Sequence, residues 1–216
     1  TLLLGRMIKL PIPQSVYELD FEYLPSMTVV LDNIMPLPIT KAVLKKCLSN
    51  QVKLVQQMGC QLTVFILQKL ADILKLYTLQ GWNKEKPALL NSVFGKLPEL
   101  SDFTSLLNET YTNNSDNKLL ILTITKILNL YSQHFSAATS ITLPQNNIYS
   151  DLMAKSQQSE QPLSGIDLGI LDEYLEFQQL NENYKWWNKD KSGHSLFTAL
   201  LRICSSGKTS VSMSAK

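Results

Sequence analysis

Glycine, arginine and cysteine are all scarce in this sequence of 216 residues, and each scarcity narrows what the chain can be. Eight glycines are few for a β-rich or nucleotide-binding protein, because tight turns and phosphate-binding loops depend on the backbone freedom of glycine. The two arginines, Arg6 and Arg202, are too few for a domain that reads nucleic-acid sequence through forked contacts to bases. A net charge of +2 and a pI near 8.3 favour the same conclusion, although lysine contacts to phosphate stay open.

The three cysteines are too scattered to form a disulfide framework. Cys47, Cys60 and Cys204 each lie in a helical pattern, so we expect buried free thiols and no zinc site. His134 and His194 have no second ligand at metal-binding spacing, and no cofactor is expected. Long apolar runs are also missing, because the run at residues 2–4 is far too short for a membrane span. We therefore expect no membrane partner.

What the chain does contain is a recurrence of apolar residues at spacings of three and four, which predicts helices. Thr40 is expected to cap a short helix, and one long helix is predicted from about residue 51 to residue 79. Gly59 lies inside that long helix at a cost of about 1 kcal/mol relative to Ala, so it should mark the close approach of a neighbouring helix. Asp116 is expected to cap another strong helix that ends near residue 135.

The domain organisation follows from where this periodicity stops. We predict four parts: a helical-repeat segment at 1–135, a polar loop or linker at 136–164, a continuing helical repeat at 165–205 and a mobile tail at 206–216. Strand-like alternation is missing from the sequence pattern. The predicted fold class is all-α, an armadillo/HEAT-like helical-repeat solenoid segment, with a compact helical bundle as the alternative.

Two familiar catalytic motifs fail in this sequence. The run Gly207-Lys208-Thr209 has the ending of a phosphate-binding loop, but Arg202 stands where that loop needs its first glycine. Asp190, His194 and Ser195 carry the letters of a catalytic triad without a strained nucleophile turn or an oxyanion hole. We therefore predict no catalytic residues and no enzyme.

Two charged groups are interpreted as the solvated faces of helices, because their members recur at helical spacing. One is basic and the other acidic, and their members are Lys41, Lys45, Lys46 and Lys53, and Asp167, Asp172, Glu173 and Glu176.

One stretch alternates aromatic rings with ammonium groups ahead of a helix: Tyr184, Lys185, Trp186, Trp187, Lys189 and Lys191. Aromatic rings stack on bases and lysines neutralise phosphates, so this stretch is a candidate contact site for RNA or a protein partner. The alternative is that Trp186 or Trp187 seals the apolar seam between helices while the lysines face water. We favour the seam for at least one of the two tryptophans.

Several stretches resemble a known family. They are residues 31–44, 54–55 with 64–70, and 96–107, followed by Trp186-Trp187 before the last predicted helix. Their order and spacing are similar to the N-terminal domain of the nucleolar pre-ribosomal-associated proteins, the large helical-repeat scaffolds of early 60S subunit assembly. The resemblance extends over about residues 24–204.

This resemblance implies an armadillo or HEAT solenoid in the nucleus and nucleolus, with a part in rRNA processing. It implies assembly factors, an RNA helicase and pre-ribosomal RNA as partners, and it offers no catalytic residues. The apolar group Leu2, Leu3, Leu4 and Ile8 is expected to face a neighbouring unit in the remainder of a larger chain. The resulting hypothesis is a non-catalytic scaffold of pre-60S assembly, and the alternative is a HEAT-type adaptor of another complex, in transport or chromatin.

Overall fold

The computed structural model describes residues 2–13, 16, 24–112, 117–135, 164–179, 186–187, 195, 197–198 and 200–201. Within those residues, eight helices have defined bounds. They are, in chain order, α1 (Leu2–Lys9), α2 (Met27–Ile34), α3 (Lys41–Leu48), α4 (Lys53–Leu79), α5 (Lys86–Lys96), α6 (Leu100–Thr112), α7 (Lys118–His134) and α8 (Gly165–Gln179). The predicted loop at 136–164, apart from Ser164, and the predicted tail at 206–216 lie outside the described residues.

Side chains of threonine and asparagine cap the starts of α3 and α7. Thr40 caps α3 as predicted, and its hydroxyl accepts a hydrogen bond from the N–H of Val43 at 3.3 Å. Asn117, not the predicted Asp116, caps α7 by accepting from the N–H of Leu120 at 3.3 Å. Asparagine caps a helix as well as aspartate does, and Asn117 stands directly before the first helical residue. Asp116 itself lies outside the described residues.

The long helix predicted at about 51–79 is present as α4, which spans 27 residues, or roughly 40 Å at about 1.5 Å per residue. Asn50 precedes it, and its side-chain oxygen accepts a hydrogen bond from the N–H of Val52 at 2.9 Å. Gly81 follows the helix with a φ of 77°, a conformation that glycine adopts without strain. The sequence therefore predicted the length of α4 to within two residues at its start.

The core is built around α4 and α7. The α4 helix contacts α1, α2, α3 and α7, and α7 also contacts α6 and α8. Two further contacts, α3 with α6 and α2 with α5, tie the shorter helices together. The largest side chains that are fully buried between them include Tyr77, Tyr131, Tyr174, Phe103, Ile66 and Leu67.

Gly59 is the point of closest approach between α3 and α4. A Cβ atom added at Gly59 would lie 2.5 Å from the Cβ of Cys47 on α3, a distance that real Cβ atoms essentially never show. The absence of a side chain is therefore what lets the two helices pack at this crossing. The predicted close approach is confirmed.

These elements confirm the all-α class. Helices lie on both sides of the predicted polar loop, and α8 packs against α7, whereas the division into repeat segments, loop and tail stays a prediction. In the part of the chain that the structure describes, no helix combines the length and the apolar character that crossing a membrane requires.

Candidate interaction surfaces

The two tryptophans of the aromatic and lysine stretch occupy different environments. Trp186 is half-buried and packs against the hydrophobic core, and its carbonyl oxygen accepts a hydrogen bond from the N–H of Phe197 at 3.1 Å. Trp187 is 68% exposed. Trp186 thus has the position that the seam interpretation predicts for one ring. The other members of the stretch, Tyr184, Lys185, Lys189 and Lys191, lie outside the described residues, and contact with RNA or a partner stays a prediction.

Single changes of the two rings to Ala should separate anchoring from binding. We expect Trp186→Ala to lower the free energy of unfolding by about 2 kcal/mol, below the 3–5 kcal/mol of a fully buried ring, because Trp186 is only half-buried. Trp187→Ala should change it by less than about 0.5 kcal/mol. If Trp187 stacks on a base, the same change should weaken binding of single-stranded RNA by about 1–3 kcal/mol.

Urea denaturation and fluorescence anisotropy with a labelled single-stranded RNA measure the two effects. If both changes lower the free energy of unfolding equally, Trp186 is not the only anchor of the two. If Trp187→Ala leaves the affinity for RNA unchanged, Trp187 is not part of an RNA-binding site.

The basic group on α3 and at the start of α4 is largely engaged in ion pairs with α6 and the residues before it. Lys45 lies 3.1 Å from Asp102 and 3.5 Å from Glu99, and the hydrogen bond to Asp102 is the main cause that raises the pKa of Lys45. Lys41 also reaches Glu99 at 3.5 Å. Lys53 pairs with Glu109 at 3.9 Å, whereas Lys46 is exposed and solvated as predicted. The side chains of Lys41, Lys45 and Lys53 stay 36–39% exposed, so the four lysines lie on a solvated face as predicted, and three of them also form surface ion pairs that the sequence did not predict.

The acidic group on α8 is not a simple solvated face. Asp167 is 4% exposed, and its carboxylate accepts a hydrogen bond from Lys118 of α7 at 2.9 Å. Glu173 pairs with Lys126 at 3.1 Å and accepts from the side-chain amide of Asn129 at 3.0 Å. Glu176 accepts from the same amide at 2.6 Å but is exposed, so Asp172 and Glu176 fit the prediction of a solvated face and Asp167 and Glu173 do not. Asp167, Glu173 and Glu176 hold α8 against α7.

Asp167 also forms a capping box with Ser164 at the start of α8. The hydroxyl of Ser164 accepts from the N–H of Asp167, and the carboxylate accepts from the N–H and hydroxyl of Ser164 at 3.2 and 2.6 Å. Burial by itself would raise the pKa of Asp167. The hydrogen bonds from Ser164 and Lys118, together with the Lys118 charge, outweigh burial and hold that pKa below its usual value of 3.8.

This lowered pKa predicts a dependence of stability on pH. Because the folded state holds the ionised form, Asp167 stabilises the fold fully above about pH 4 and loses this effect as pH falls through its folded pKa. At neutral pH, Asp167→Asn should cost about 2 kcal/mol, less than the 3–5 kcal/mol for a fully buried pair, because the side chain of Lys118 is 32% exposed. The difference between wild type and variant should shrink between pH 5 and pH 2.

Urea denaturation at several pH values, with Asp172→Asn as the exposed control on the same helix, measures this dependence. A cost of Asp167→Asn that stays constant down to pH 2 would contradict the ionised capping box.

The serine and the cysteines that the sequence analysis considered for chemistry, as far as the structure describes them, are hydrogen-bonded within the fold or packed among apolar side chains. Ser195 is 5% exposed, and its N–H and hydroxyl form a reciprocal pair of hydrogen bonds with Thr198 at 3.0 and 3.2 Å, so it caps a helical turn. Cys60 is buried and Cys47 half-buried, and both are free thiols, as predicted. Burial, and secondarily Cys47, raises the pKa of Cys60 to about 12. Asp190, His194 and Cys204 lie outside the described residues.

Among the described residues, no cluster of three His, Cys, Asp or Glu side chains could hold a metal ion. His134 is half-buried, and burial lowers the pKa of its imidazole.

An apolar groove opens between α1, α2 and α4, with a volume of about 550 Å³. Met7 and Leu10 form one wall, Val29 of α2 forms the other, and Ile73 and Tyr77 of α4 lie at its base. We call this cavity the α1–α2 groove. The sequence did not single it out, because it joins residues that are separated by as many as 70 positions.

The apolar residues at 2–8, which were predicted to face a neighbouring unit, lie on two different faces of α1. Ile8 is 1% exposed and Leu4 packs against the core, so the prediction is wrong for both, because α1 lies on α4. Leu3 is 72% exposed as predicted, and Met7 and Leu10 continue its face of the helix at 49% and 63%. The outward apolar face is therefore Leu3, Met7 and Leu10.

Among the described residues, these features define a helical protein in which several charged side chains join helices and exposed apolar residues offer contact surfaces. The chain is 40% identical, over 211 residues that make up 97% of its length, to nucleolar pre-ribosomal-associated protein 1 from Saccharomyces cerevisiae. The predicted resemblance to the nucleolar pre-ribosomal-associated proteins is thereby confirmed. It spans 12% of that relative's length. No family model and no solved structure matches the chain.

Proposed function

We propose that this chain is a segment of a non-catalytic α-solenoid scaffold of the armadillo or HEAT kind, acting in the nucleolus in early assembly of the large ribosomal subunit. The observation that carries this proposal is the 40% identity over nearly the whole chain to a yeast protein whose name describes it as nucleolar and pre-ribosomal-associated. A match of that extent supports a shared location and a shared role in ribosome biogenesis. Association with the precursor of the 60S subunit is the finer part of the proposal.

The chemistry of the described surfaces supports a scaffold. Three of the four carboxylates named on α8 contact α7, Lys41 and Lys45 on α3 form ion pairs with Glu99 and Asp102, and the hydroxyl of Ser195 caps a helical turn. A role in holding partners therefore uses the exposed apolar residues, of which the α1–α2 groove and Trp187 are the principal examples. Assembly factors, among them an RNA helicase, are the proposed partners.

Direct RNA contact by this segment would centre on Trp187 and the lysines that flank it in sequence. Lys41, Lys45 and Lys53 are poor alternatives, because an ammonium group in an ion pair must first lose its carboxylate partner to neutralise a phosphate.

Affinity purification of the full-length protein that contains this chain tests the proposal. We expect large-subunit assembly factors and large-subunit precursor rRNA to co-purify, and their amounts to fall when this segment is deleted. Recovery of transport receptors or chromatin subunits in their place would favour the adaptor hypothesis and contradict the ribosomal one. A tag on an unrelated nucleolar protein is the control for non-specific recovery of abundant pre-ribosomes.

A further inference from the structure

The α1–α2 groove has the size and lining of a binding site for a protein segment. Its volume of about 550 Å³ lies within the roughly 300–1,000 Å³ typical of ligand-binding pockets. Lys69 is the one charged side chain among the described residues that line it, and the other lining residues are apolar apart from Asn33 and Tyr77. Three apolar residues at its walls are about half exposed or more: Met7, Leu10 and Val29.

The hydroxyl of Tyr77 is the feature of this groove that the fold itself leaves unexplained. Tyr77 is 1% exposed and lines the groove, yet its hydroxyl has no hydrogen-bond partner among the residues that the structure describes. Trp82 packs edge-on against the Tyr77 ring, with centroids 5.5 Å apart and planes at 87°, and so fixes its position. A buried hydroxyl without a partner is unfavourable, and because this oxygen is covered by its neighbours it is a cost of packing at the base of the groove and not a contact open to an occupant.

The groove is also held open before anything binds. The ammonium group of Lys69 on α4 donates a hydrogen bond to the carbonyl oxygen of Leu10 at 2.6 Å, just after the end of α1. This bond, together with the burial of Ile8 against the core, fixes the α1 wall relative to α4. A preformed site loses little conformational entropy on binding.

We infer that the α1–α2 groove binds an amphipathic helix from the remainder of the longer protein, with the apolar face of that helix against Met7, Leu10 and Val29. Two helices that flank a third form the kind of groove that receives an apolar helix face. The chain spans 12% of its yeast relative, which leaves most of such a polypeptide available to supply the helix. A tethered segment is present at high effective concentration, so an apolar groove with few polar contacts is sufficient to hold it.

This inference rests on one part of the proposed function, that the chain is a segment of a longer scaffold. It does not depend on the ribosomal role. Affinity purification tests the ribosomal role, and crosslinking within the polypeptide tests which segment occupies the groove. Either hypothesis can therefore fail while the other holds.

Photo-crosslinking in the full-length protein identifies the occupant, with Val29 and Val43 as matched positions. Each is the third residue of an eight-residue helix, and they are 54% and 45% exposed, but only Val29 lines the groove. With benzoylphenylalanine at position 29, we expect a crosslink to a segment of the same polypeptide outside this chain, and none to that segment from position 43. Mixing isotopically light and heavy protein separates a crosslink within one molecule from one between two copies. A crosslink from position 29 to another protein or to a second copy, or no crosslink, would overturn the inference.

Hydrogen exchange of the full-length protein provides the second test. Val29→Glu places a carboxylate in the groove, where docking would have to desolvate it, and should increase amide exchange in α1 and α2 at least tenfold. Val43→Glu should leave these amides unchanged, and α7 is the internal reference for global stability. Equal effects of Val29→Glu and Val43→Glu, or increased exchange throughout α7, would mean that the changes disturb the fold and not a docked helix.

Discussion

Gly59→Ala should destabilise the fold by at least about 1–3 kcal/mol, the usual cost of an overpacked contact. The added methyl group would meet the Cβ of Cys47 at 2.5 Å, and neither atom can move without shifting the backbone of α3 or α4. Gly95→Ala is the matched control, because it lies in α5 with no atom within 4 Å of the added Cβ. That change should be neutral or stabilise by up to about 1 kcal/mol, through the better helix propensity of Ala. Urea denaturation followed by circular dichroism measures both.

A second variant tests whether the Cys47 contact is the cause. Cys47→Gly combined with Gly59→Ala moves the small residue from α4 to α3 and removes the clashing atom. The double variant should be more stable than Gly59→Ala alone, even though a glycine in α3 costs about 1 kcal/mol. A double variant that is less stable than Gly59→Ala would place the strain elsewhere in the structure.

Tyr131→Ala should be the most destabilising single change in α7, at about 3–5 kcal/mol. The Tyr131 ring is completely buried and contacts the rings of Phe94, Phe103 and Phe135, with centroids 6.3, 5.9 and 5.4 Å away. Its hydroxyl donates a hydrogen bond to the carbonyl oxygen of Pro98 at 2.8 Å. Burial, and secondarily the charge of Asp102, raises the pKa of Tyr131 far above its usual value, so this donor stays protonated.

The hydroxyl contribution can be isolated by a pair of conservative changes. Tyr131→Phe leaves the Pro98 carbonyl without its donor and should cost about 1–3 kcal/mol. Tyr77→Phe in this 216-residue chain removes a buried hydroxyl that has no partner among the described residues, so it should cost nothing or stabilise slightly. Equal costs from the two changes, measured as shifts in the urea midpoint, would contradict the hydrogen bonding described for these tyrosines.

The parts of the fold that the sequence predicted are those that local chemistry determines. The spacing of apolar residues located α4, the hydroxyl of Thr40 located a cap, and the lone glycine at position 59 located a helix crossing. Each of these signals lies within one helix or at its end, where periodicity and capping preferences act.

The parts that the sequence did not predict depend on pairing between distant residues. Lys118 and Asp167 are 49 positions apart, and the helical pattern places a carboxylate on a polar face without saying which helix covers that face. One local signal was available, because Ser164 and Asp167 have the spacing of a capping box ahead of an apolar run. For Tyr77 no such signal exists, since its place in the apolar stripe of α4 predicts burial but not an unpaired hydroxyl.

The candidate contact stretch at residues 184–191 was predicted from its residue types, and the structure places its two tryptophans in different environments. Adjacent residues of the same type gave the sequence no basis for choosing between them, whereas packing against the core selects Trp186 as the anchor and leaves Trp187 exposed. The remaining candidate surface, the α1–α2 groove, arises only when α1 and α2 lie together on α4.

Sedimentation of the full-length protein through a sucrose gradient, with probes for large- and small-subunit precursor RNA in each fraction, tests most directly whether this chain belongs to a scaffold of large-subunit assembly. We expect the protein to sediment with the large-subunit precursor and to move toward the top of the gradient when this segment is deleted. A protein that sediments with small-subunit precursors, or apart from all precursor RNA, would contradict the proposed function.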